Sequence, residues 1–267
     1  MTTTGTTTPR TTTATTTIGV LYPGFSAQDD FHRLARLLGP GVSLPVQHTE
    51  MVEDAHRADA LLDWGRDDRL AVGAAALASW SPDAVVWTCT SGSFVYGWDG
   101  AHRQADALAR AAGVPASSTS LAFVRAARAI GVRRVAVVAT YPDAVTRLFV
   151  DFLGHAGMQV LGTASNGIYT AAEVGTLSSA AVLEMAAAGD HPDAEALLLP
   201  DTALHTAEHL DALEAHVGKP VLTANQVSVW EGLRLVERHH PRAGLGTLFH
   251  GAADQKDRAG ESTETTR

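Results

Sequence analysis

The chain has 267 residues, of which 45% are hydrophobic and 18% charged, and its formal net charge is −9. This size allows one large domain or two lobes of about 100 residues each. The apolar runs are far shorter than the ~20 residues of a membrane-spanning helix, and the acidic balance argues against binding to nucleic acid or anionic membranes. A single cysteine excludes an internal disulfide and a multi-cysteine zinc site. It fits a reducing compartment, so a cytoplasmic location is expected.

The two ends of the chain differ from its middle. Residues 1–17 contain twelve threonines, and residues 251–267 are polar and unpatterned, so both segments are predicted to be disordered tails. The first tail lacks the apolar stretch of a secretory signal, and its single cation, Arg10, argues against an organelle transit peptide. The folded part of the chain is therefore expected between residues 18 and 250.

Between the tails, short apolar runs alternate with alanine-rich amphipathic stretches. Such runs are typical of parallel strands buried on both faces, so the alternation predicts an α/β fold with helical crossovers. The predicted strands are Ile18–Tyr22, Ala84–Trp87, Arg134–Ala139, Ala196–Leu199 and Pro220–Thr223. The predicted helices are Asp29–Leu38, Asp67–Ser79, Ala101–Ala112, Ser120–Ile130, Ala144–Ala156, Thr176–Ala188, Thr206–His216 and Val227–Glu237.

The pattern repeats along the chain. The run Ala84–Thr90 aligns with Ala196–Thr202 at an offset of 112 residues, and a helix follows in both places. Ligands of open α/β sheets bind at the carboxyl ends of strands. The alignment makes Cys89 and Asp201 equivalent, and it predicts that they face one substrate from opposite walls of a cleft.

The repeat predicts two pseudo-symmetric lobes, each a short, mostly parallel sheet flanked by helices, with the active site in the cleft between them. The first lobe is assigned residues 18–120 together with residues 226–250. The second lobe is assigned residues 121–225.

Cys89 stands at a predicted turn from strand to helix and is followed by the hydroxyl residues Thr90, Ser91 and Ser93. Backbone N–H groups and the helix dipole at such a turn are expected to lower the pKa of the thiol and to favour the thiolate. The hydroxyls and free N–H groups could bind a carboxylate without a cation. The alternative is a buried structural cysteine.

Two further polar residues follow predicted strands. Asp201 follows the run Ala196–Leu199, where it could be a general acid or base or simply a helix N-cap. Tyr141 follows the run Arg134–Ala139, where its phenol could donate to a carboxylate or anchor a turn. The sequence contains no GxGxxG, P-loop or GxSxG pattern and no convincing cluster of metal ligands, so neither a cofactor nor a metal is predicted.

The chain resembles the Asp/Glu racemase superfamily, specifically its branch of maleate cis–trans isomerases and arylmalonate decarboxylases, over residues 18–249. In chain order, the segments that carry the resemblance are Gly19–Pro23, Cys89–Ser93, Gly131–Ala136 leading to Tyr141, Leu199–Thr206 and Val229–Leu235. The resemblance implies two pseudo-symmetric α/β lobes and cofactor-free chemistry at the α-carbon of a carboxylate.

The resemblance also implies roles for individual residues. Cys89 matches the first catalytic cysteine of the isomerases and racemases, where the decarboxylases have glycine. Thr90, Ser91 and Tyr141 match positions that bind the substrate carboxylate. Asn166 aligns, more loosely, with a binding asparagine of the isomerases.

The chain departs from the family pattern at two places. Asp201 stands where the family usually has its second cysteine, which disfavours a decarboxylase of the known kind. Gly24, Phe25 and Ser26 replace a serine–asparagine pair with which the isomerases hold a carboxylate.

These observations lead to a hypothesis of a cofactor-independent isomerase of a small dicarboxylic acid, similar to maleate isomerase. The Cys89 thiolate would attack or deprotonate next to a carboxylate, Asp201 would move a proton on the opposite face, and the Thr202 region would help to hold the carboxylate. The alternatives are an Asp/Glu-type racemase or arylmalonate-type decarboxylase with a Cys/Asp pair, and a non-catalytic carboxylate-binding protein. A homo-oligomer is left open.

Overall fold

The computed structural model describes residues 15–238 and 241–250, and in this part the chain forms two parallel sheets. The strands are β1 (Thr16–Pro23), β2 (Val42–Ser43), β3 (Val46–Thr49), β4 (Ala84–Trp87), β5 (Ala116–Ser118), β6 (Arg134–Ala139), β7 (Gln159–Ser165), β8 (Ala196–Leu199) and β9 (Val221–Thr223). In the first sheet β1 lies between β4 and the short pair β2 and β3, and β5 lies beyond β4. The second sheet has the order β7-β6-β8-β9. The predicted α/β fold with two similar lobes is confirmed.

The two sheets share one topology, in which β1, β3, β4 and β5 correspond to β6, β7, β8 and β9. The central ladder pairs Ile18 with Ala84 in the first sheet and Val135 with Ala196 in the second. Ala84 and Ala196 therefore occupy equivalent positions, which confirms the offset of 112 residues between β4 and β8. Cys89 and Asp201 each lie two residues beyond the end of these equivalent strands.

Helices cover the faces of both sheets. They are α1 (Asp29–Leu38), α2 (Ala58–Trp64), α3 (Asp67–Leu77), α4 (Ser91–Phe94), α5 (Gly97–Ala112), α6 (Thr119–Ala129), α7 (Asp143–His155), α8 (Ala171–Val174), α9 (Ser179–Ala188), α10 (Leu210–Val217) and α11 (Ala224–Leu235). The stretches 78–80 and 247–249 add single 3₁₀ turns. No helix of the described chain has the length and apolarity needed to cross a lipid bilayer.

The helices that follow the last strand of each sheet pack against each other between the lobes. Thr119 at the start of α6 lies 2.6 Å, hydroxyl to hydroxyl, from Ser228 of α11. α11 belongs to the chain that leaves β9, yet it packs on β4 and β1 of the first sheet, where Gly232 leaves no room for a Cβ beside Ile18. Phe123 of α6 contacts Phe149 of α7 in the second lobe. One apolar cluster thus runs through both lobes, and a second lies within the second lobe.

The structure corrects several predicted boundaries. β1 begins at Thr16 rather than Ile18, because Thr16 and Thr17 pair with Val42 and Ser43, so the first tail cannot extend to residue 17. The predicted tail segments 1–14 and 251–267 lie outside the described residues. The exact division of the chain between the lobes stays a prediction.

The helix predicted from Thr206 instead begins at Leu210. The backbone N–H groups of Thr206 and Ala207 donate to the carboxylate of Asp30 in the first lobe, at 2.8 and 3.1 Å. These N–H groups therefore tie the two lobes together, and the chain turns before the helix starts.

Candidate active site

Cys89 lies in the tight turn between β4 and the short helix α4 and is 2% exposed. The backbone N–H of Gly92 donates to its Sγ at 3.2 Å, and the Ser91 hydroxyl lies 3.8 Å from the sulfur. A Cβ at position 92 would lie 3.0 Å from Sγ and 3.2 Å from the Trp87 ring, so glycine lets the turn close around the thiol. The sulfur is therefore held by packing as well as by hydrogen bonds.

The surroundings of Cys89 favour the protonated form of its thiol. Burial raises its pKa from 9.0 to about 12, the negative charge of Asp201 adds to the shift, and the hydrogen bonds from Gly92 and Ser91 oppose it. The expectation of a lowered pKa is therefore wrong. α4 has only four residues, and the loss of hydration outweighs its few N–H groups. Reaction at the sulfur thus needs a group that accepts its proton.

Asp201 lies at the equivalent position beyond β8 and is 4% exposed. The Thr140 hydroxyl donates to its Oδ2, and the Ala203 N–H donates to its Oδ1 at 2.9 Å. The carboxylate thus makes the local turn contact of a capping residue. Its charge also acts on Cys89, so the structure brings the two residues within electrostatic range of each other.

Tyr141 lies at the end of the second lobe's central strand, and its ring is buried. Its hydroxyl donates to the Pro200 carbonyl at 2.6 Å, next to Asp201. Burial raises its pKa well above the ordinary value, the charges of Asp201 and Cys89 add to the shift, and the neighbouring side chains of Thr90 and Ser91 oppose it. Tyr141 therefore belongs to the same cluster as the thiol.

Tyr22, near the end of β1, is a site residue that the sequence reasoning missed. Its hydroxyl donates to the Thr202 carbonyl at 3.0 Å and accepts from the Ala27 N–H at 3.0 Å. Burial raises its pKa, and the charges of Asp201, Cys89 and Asp30 add to the shift. The signal was present in the sequence, because Tyr22-Pro23 repeats as Tyr141-Pro142 at the ends of the two central strands.

The predicted carboxylate-binding hydroxyls are buried beside the thiol. The Thr90 Oγ1 atom has no hydrogen-bond partner among the described residues, although the Thr90 carbonyl accepts from the Ser120 hydroxyl at 2.7 Å. A buried hydroxyl without a partner is a donor that a bound carboxylate would satisfy. Thr202 is also buried, and its carbonyl is already occupied by Tyr22 and Asn225.

Asn166 lies in the exposed loop after β7. Its Nδ2 donates to the Ala139 carbonyl at 2.8 Å, and its backbone N–H reaches the same oxygen at 3.0 Å. The side chain thus anchors the loop to β6. Within the described residues we find no hydrogen bond from Asn166 to Cys89 or Asp201, and its role in carboxylate binding stays a prediction.

Loops from both lobes close over Tyr141. The ring of His56 lies 4.9 Å from the Tyr141 ring, centre to centre, and its backbone N–H donates to the Tyr169 carbonyl at 2.7 Å. The carboxylate of Asp54 accepts from the N–H groups of Ala171 and Ala172, at 2.7 and 2.9 Å. These contacts join loops of the two lobes beside Tyr141.

The cluster combines a thiol, a carboxylate, two phenols and one unpaired hydroxyl, all of them buried. In the part of the chain that the structure covers, no group of three or more His, Cys, Asp or Glu residues could hold a metal ion. The Thr90 hydroxyl could donate to a bound carboxylate, and the thiol and the carboxylate are candidates for an acid and a base.

Comparison with known proteins gives relatives of two kinds. The family model for arylmalonate decarboxylase matches residues 65–249. The arylmalonate decarboxylase of Bordetella bronchiseptica is 29% identical over 146 residues, which are 54% of this chain and 61% of that protein. The match therefore spans less than two thirds of that relative.

Solved structures of both kinds share the fold. The maleate isomerase of Pseudomonas putida S16 is 21% identical, with a TM-score of 0.80 over 89% of this chain and 99% of its own. The Nocardia farcinica maleate cis-trans isomerase, a cysteine-to-serine mutant with a covalently bound succinylcysteine intermediate, is 21% identical with a TM-score of 0.79 and covers the same shares. A liganded arylmalonate decarboxylase mutant, with a glycine replaced by cysteine and a cysteine by serine, is 24% identical with a TM-score of 0.78 over 88% and 99%.

Proposed function

Because this chain belongs to the arylmalonate decarboxylase family, we propose that it is an enzyme acting, without a cofactor, at the carbon next to a carboxylate. We propose more specifically a cis–trans isomerase of a small unsaturated dicarboxylic acid, for which maleate is the simplest candidate. The observation that carries the proposal is the pair of Cys89 and Asp201, a neutral buried thiol and a carboxylate that lie beyond equivalent strands and interact electrostatically.

The first step of the proposed reaction follows from the neutral thiol. Asp201 accepts the thiol proton while the sulfur of Cys89 bonds to one carbon of the double bond. The electron pair of the double bond moves toward the carboxylate on the other carbon, which becomes an enediolate. The unpaired hydroxyl of Thr90 is free to donate to this enediolate, and Ser91 and Tyr141 lie close to the same space.

The second step restores the starting groups. Protonated Asp201 gives its proton to the α-carbon of the enediolate, which yields a thioether of the saturated acid. Rotation then takes place about the carbon–carbon bond that was the double bond. The reverse steps follow: Asp201 removes a proton from the α-carbon, the sulfur leaves, and the thiol regains its proton. The succinylcysteine that is covalently bound in the Nocardia farcinica isomerase structure supports an adduct of this kind in a protein of the same fold.

Decarboxylation of an arylmalonate is the second candidate. The family model and the Bordetella bronchiseptica relative favour it. In that reaction loss of carbon dioxide leaves an enediolate that must be protonated. The raised pKa of Cys89, to about 12, keeps a proton on the sulfur for this purpose. A racemase would use the same two groups on opposite faces of the α-carbon.

Proton NMR in D₂O separates these candidates. The panel is maleate, phenylmalonate, aspartate, glutamate and hydantoins. Isomerisation converts the maleate signal to that of fumarate, with deuterium incorporated if Asp201 protonates carbon. Decarboxylation gives phenylacetate, and racemisation exchanges the α-proton of an amino acid. We expect fumarate.

Variants of Cys89 and Asp201 test whether turnover depends on these two residues. Cys89→Ser is expected to abolish turnover, because a hydroxyl is a far weaker nucleophile, and Asp201→Asn to lower kcat about 10²- to 10⁴-fold. Circular dichroism shows whether the variants keep their fold. Saturable binding of maleate without turnover of any panel compound would identify a carboxylate-binding protein instead. Unchanged turnover in Cys89→Ser would remove the thiol from the mechanism.

A further inference from the structure

The peptide between Thr202 and Ala203 is held at both of its polar ends. Its N–H donates to Asp201 Oδ1 at 2.9 Å. Its carbonyl oxygen accepts from the Tyr22 phenol at 3.0 Å and from Nδ2 of Asn225 at 3.2 Å. Because the peptide group is planar, a donor that fixes the carbonyl oxygen also fixes the direction of the N–H. The orientation of the Asp201 carboxylate therefore depends on side chains that do not touch it.

Asn225 lies at the start of α11 and is 1% exposed. Its Nδ2 faces three oxygens, those of the Asp30 carboxylate at 3.1 Å, the Thr202 carbonyl at 3.2 Å and the Leu204 carbonyl at 3.3 Å. Carbonyls and carboxylates only accept, so the NH₂ end of the amide must point toward them. Its Oδ1 has no hydrogen-bond partner among the described residues. The donor end is therefore the part of this side chain that the fold uses.

Asp30 anchors this amide to the first lobe. The side chain of Asp30 is fully buried in α1, and its Oδ2 also accepts from the N–H groups of Thr206 and Ala207. Arg33 pairs with the other carboxylate oxygen at 3.2 Å. The loop that carries Asp201 is thus attached, through Asn225 and Asp30, to the lobe that carries Cys89.

We propose that Asn225 is a positioning residue, which holds the Thr202–Ala203 peptide so that its N–H fixes the Asp201 carboxylate for proton exchange with Cys89. Asn225 touches none of the reacting atoms. The inference rests on the proposed function, in which Asp201 moves the proton. Tyr22 donates to the same carbonyl and shares this task.

The kinetic test compares Asn225→Ala with Gln226→Ala. Gln226 is the next residue of α11 and equally buried, but its amide bonds the Thr223 N–H and the Leu245 carbonyl rather than the Thr202 carbonyl. Asn225→Ala is expected to lower kcat about 10- to 100-fold, because a small misplacement of a reacting group is costly, with little change in KM. Gln226→Ala is expected to lower the melting temperature and to keep kcat.

A double-mutant cycle shows whether Asn225 acts through Asp201. In an Asp201→Asn background, Asn225→Ala is expected to cause no further loss of kcat, since residues that act as one unit are not additive. An equal loss in both backgrounds, or a loss expressed in KM alone, would overturn the inference. If Asn225→Ala does not fold, Asn225→Ser is the second variant, because it keeps a polar group too short to reach the Thr202 carbonyl.

A titration of the single thiol tests the same inference without any substrate. Thiolate absorbance reports the pKa of Cys89, which Asp201 raises and which the phenols of Tyr22 and Tyr141 also face. Asn225→Ala is expected to lower this pKa toward its value in Asp201→Asn, and Gln226→Ala to leave it unchanged. An unchanged value in Asn225→Ala contradicts the inference. If Asn225→Ala shifts the pKa of Cys89 but the parent protein turns over no panel compound, the proposed function is refuted and the inference about Asn225 is not.

Discussion

Burial raises the pKa of the Cys89 thiol, and the negative charge of Asp201 raises it further, although 112 positions of the chain separate the two residues. They lie within electrostatic range of each other, and each stands two residues beyond the equivalent strand of a repeated sheet. The carboxylate charge therefore disfavours the thiolate of Cys89. The two residues interact electrostatically although they belong to different sheets.

Alkylation of Cys89 is expected to be slow in the native protein at pH 8. Its pKa of about 12 leaves little thiolate, and its sulfur is buried, so iodoacetamide should react far more slowly than with the chain unfolded in urea. The native rate should rise with pH and should be faster in Asp201→Asn. Mass spectrometry measures the single adduct. Equal native and unfolded rates at pH 8 would show an exposed or activated thiol.

Stability is expected to fall at alkaline pH. Cys89 has an ordinary value of 9.0 and a folded value of about 12, so between these limits the folded chain binds the proton that the unfolded chain releases. The free energy of unfolding therefore decreases as pH rises above about 9, and below that pH the contribution is fully present. Melting temperatures between pH 7 and pH 11 measure the decline.

Cys89→Ser tests the origin of this decline, because serine does not titrate in the range. Its melting temperature should fall less steeply with pH than that of the parent protein. Tyr22→Phe should flatten the same curve above about pH 10, since the pKa of Tyr22 is also raised by burial. Curves that run parallel in all three proteins would assign the decline to other groups.

Gly92→Ala is expected to reduce both turnover and stability. The new Cβ would lie 3.0 Å from the Cys89 sulfur and 3.2 Å from the Trp87 ring, so the thiol or the turn must shift. Such overpacking costs about 1–3 kcal/mol.

Gly154→Ala is the matched control, because a Cβ there meets nothing within 4 Å and position 154 lies inside α7. The control should keep activity and gain up to about 1 kcal/mol. Urea unfolding and the NMR assay measure both effects.

Two deletions test where the folded chain begins. Deletion of residues 1–17 removes the pairing of Thr16 and Thr17 with β2, and with it the bond from the Thr17 N–H to Asp83 at 2.8 Å. Deletion of residues 1–14 spares these contacts. The longer deletion is expected to melt lower, by about 2–4 °C for each kcal/mol lost, and the shorter one to melt close to the full chain. Equal melting temperatures would show that the first two residues of β1 contribute nothing.

The central strands and the edge strand β9 could be predicted from the sequence, whereas the edge strands β5 and β7 could not. β4, β6 and β8 are apolar runs buried on both faces, and their predicted bounds are those observed. β5 is the short segment Ala116-Ser117-Ser118, and β7 is half exposed at a sheet edge, so neither carries a continuous apolar run. Such strands form because a neighbouring strand supplies their hydrogen bonds, which the local sequence does not show.

The candidate site, like the strands, could be predicted only in part from the sequence. The repeat pointed to Cys89 and Asp201 because strand ends are encoded locally, and the placement of the two side chains in one cluster agrees with it. The direction of the thiol pKa depends on how completely two lobes and several loops exclude water, which no local pattern reports. The sequence therefore pointed to Cys89 as a candidate but gave the wrong direction for its pKa.

α11 follows the second sheet but packs on the first, and α6 follows the first sheet but contacts α7 of the second lobe. This arrangement has a consequence for chains of half this length. A fragment that ended after α6 would keep the first sheet but lose α11, which covers β4 and β1, and its own α6 would lose its contacts with α11 and with Phe149. Each half of the chain therefore depends on the other half for contacts with a covering helix, and neither half is expected to keep its fold by itself.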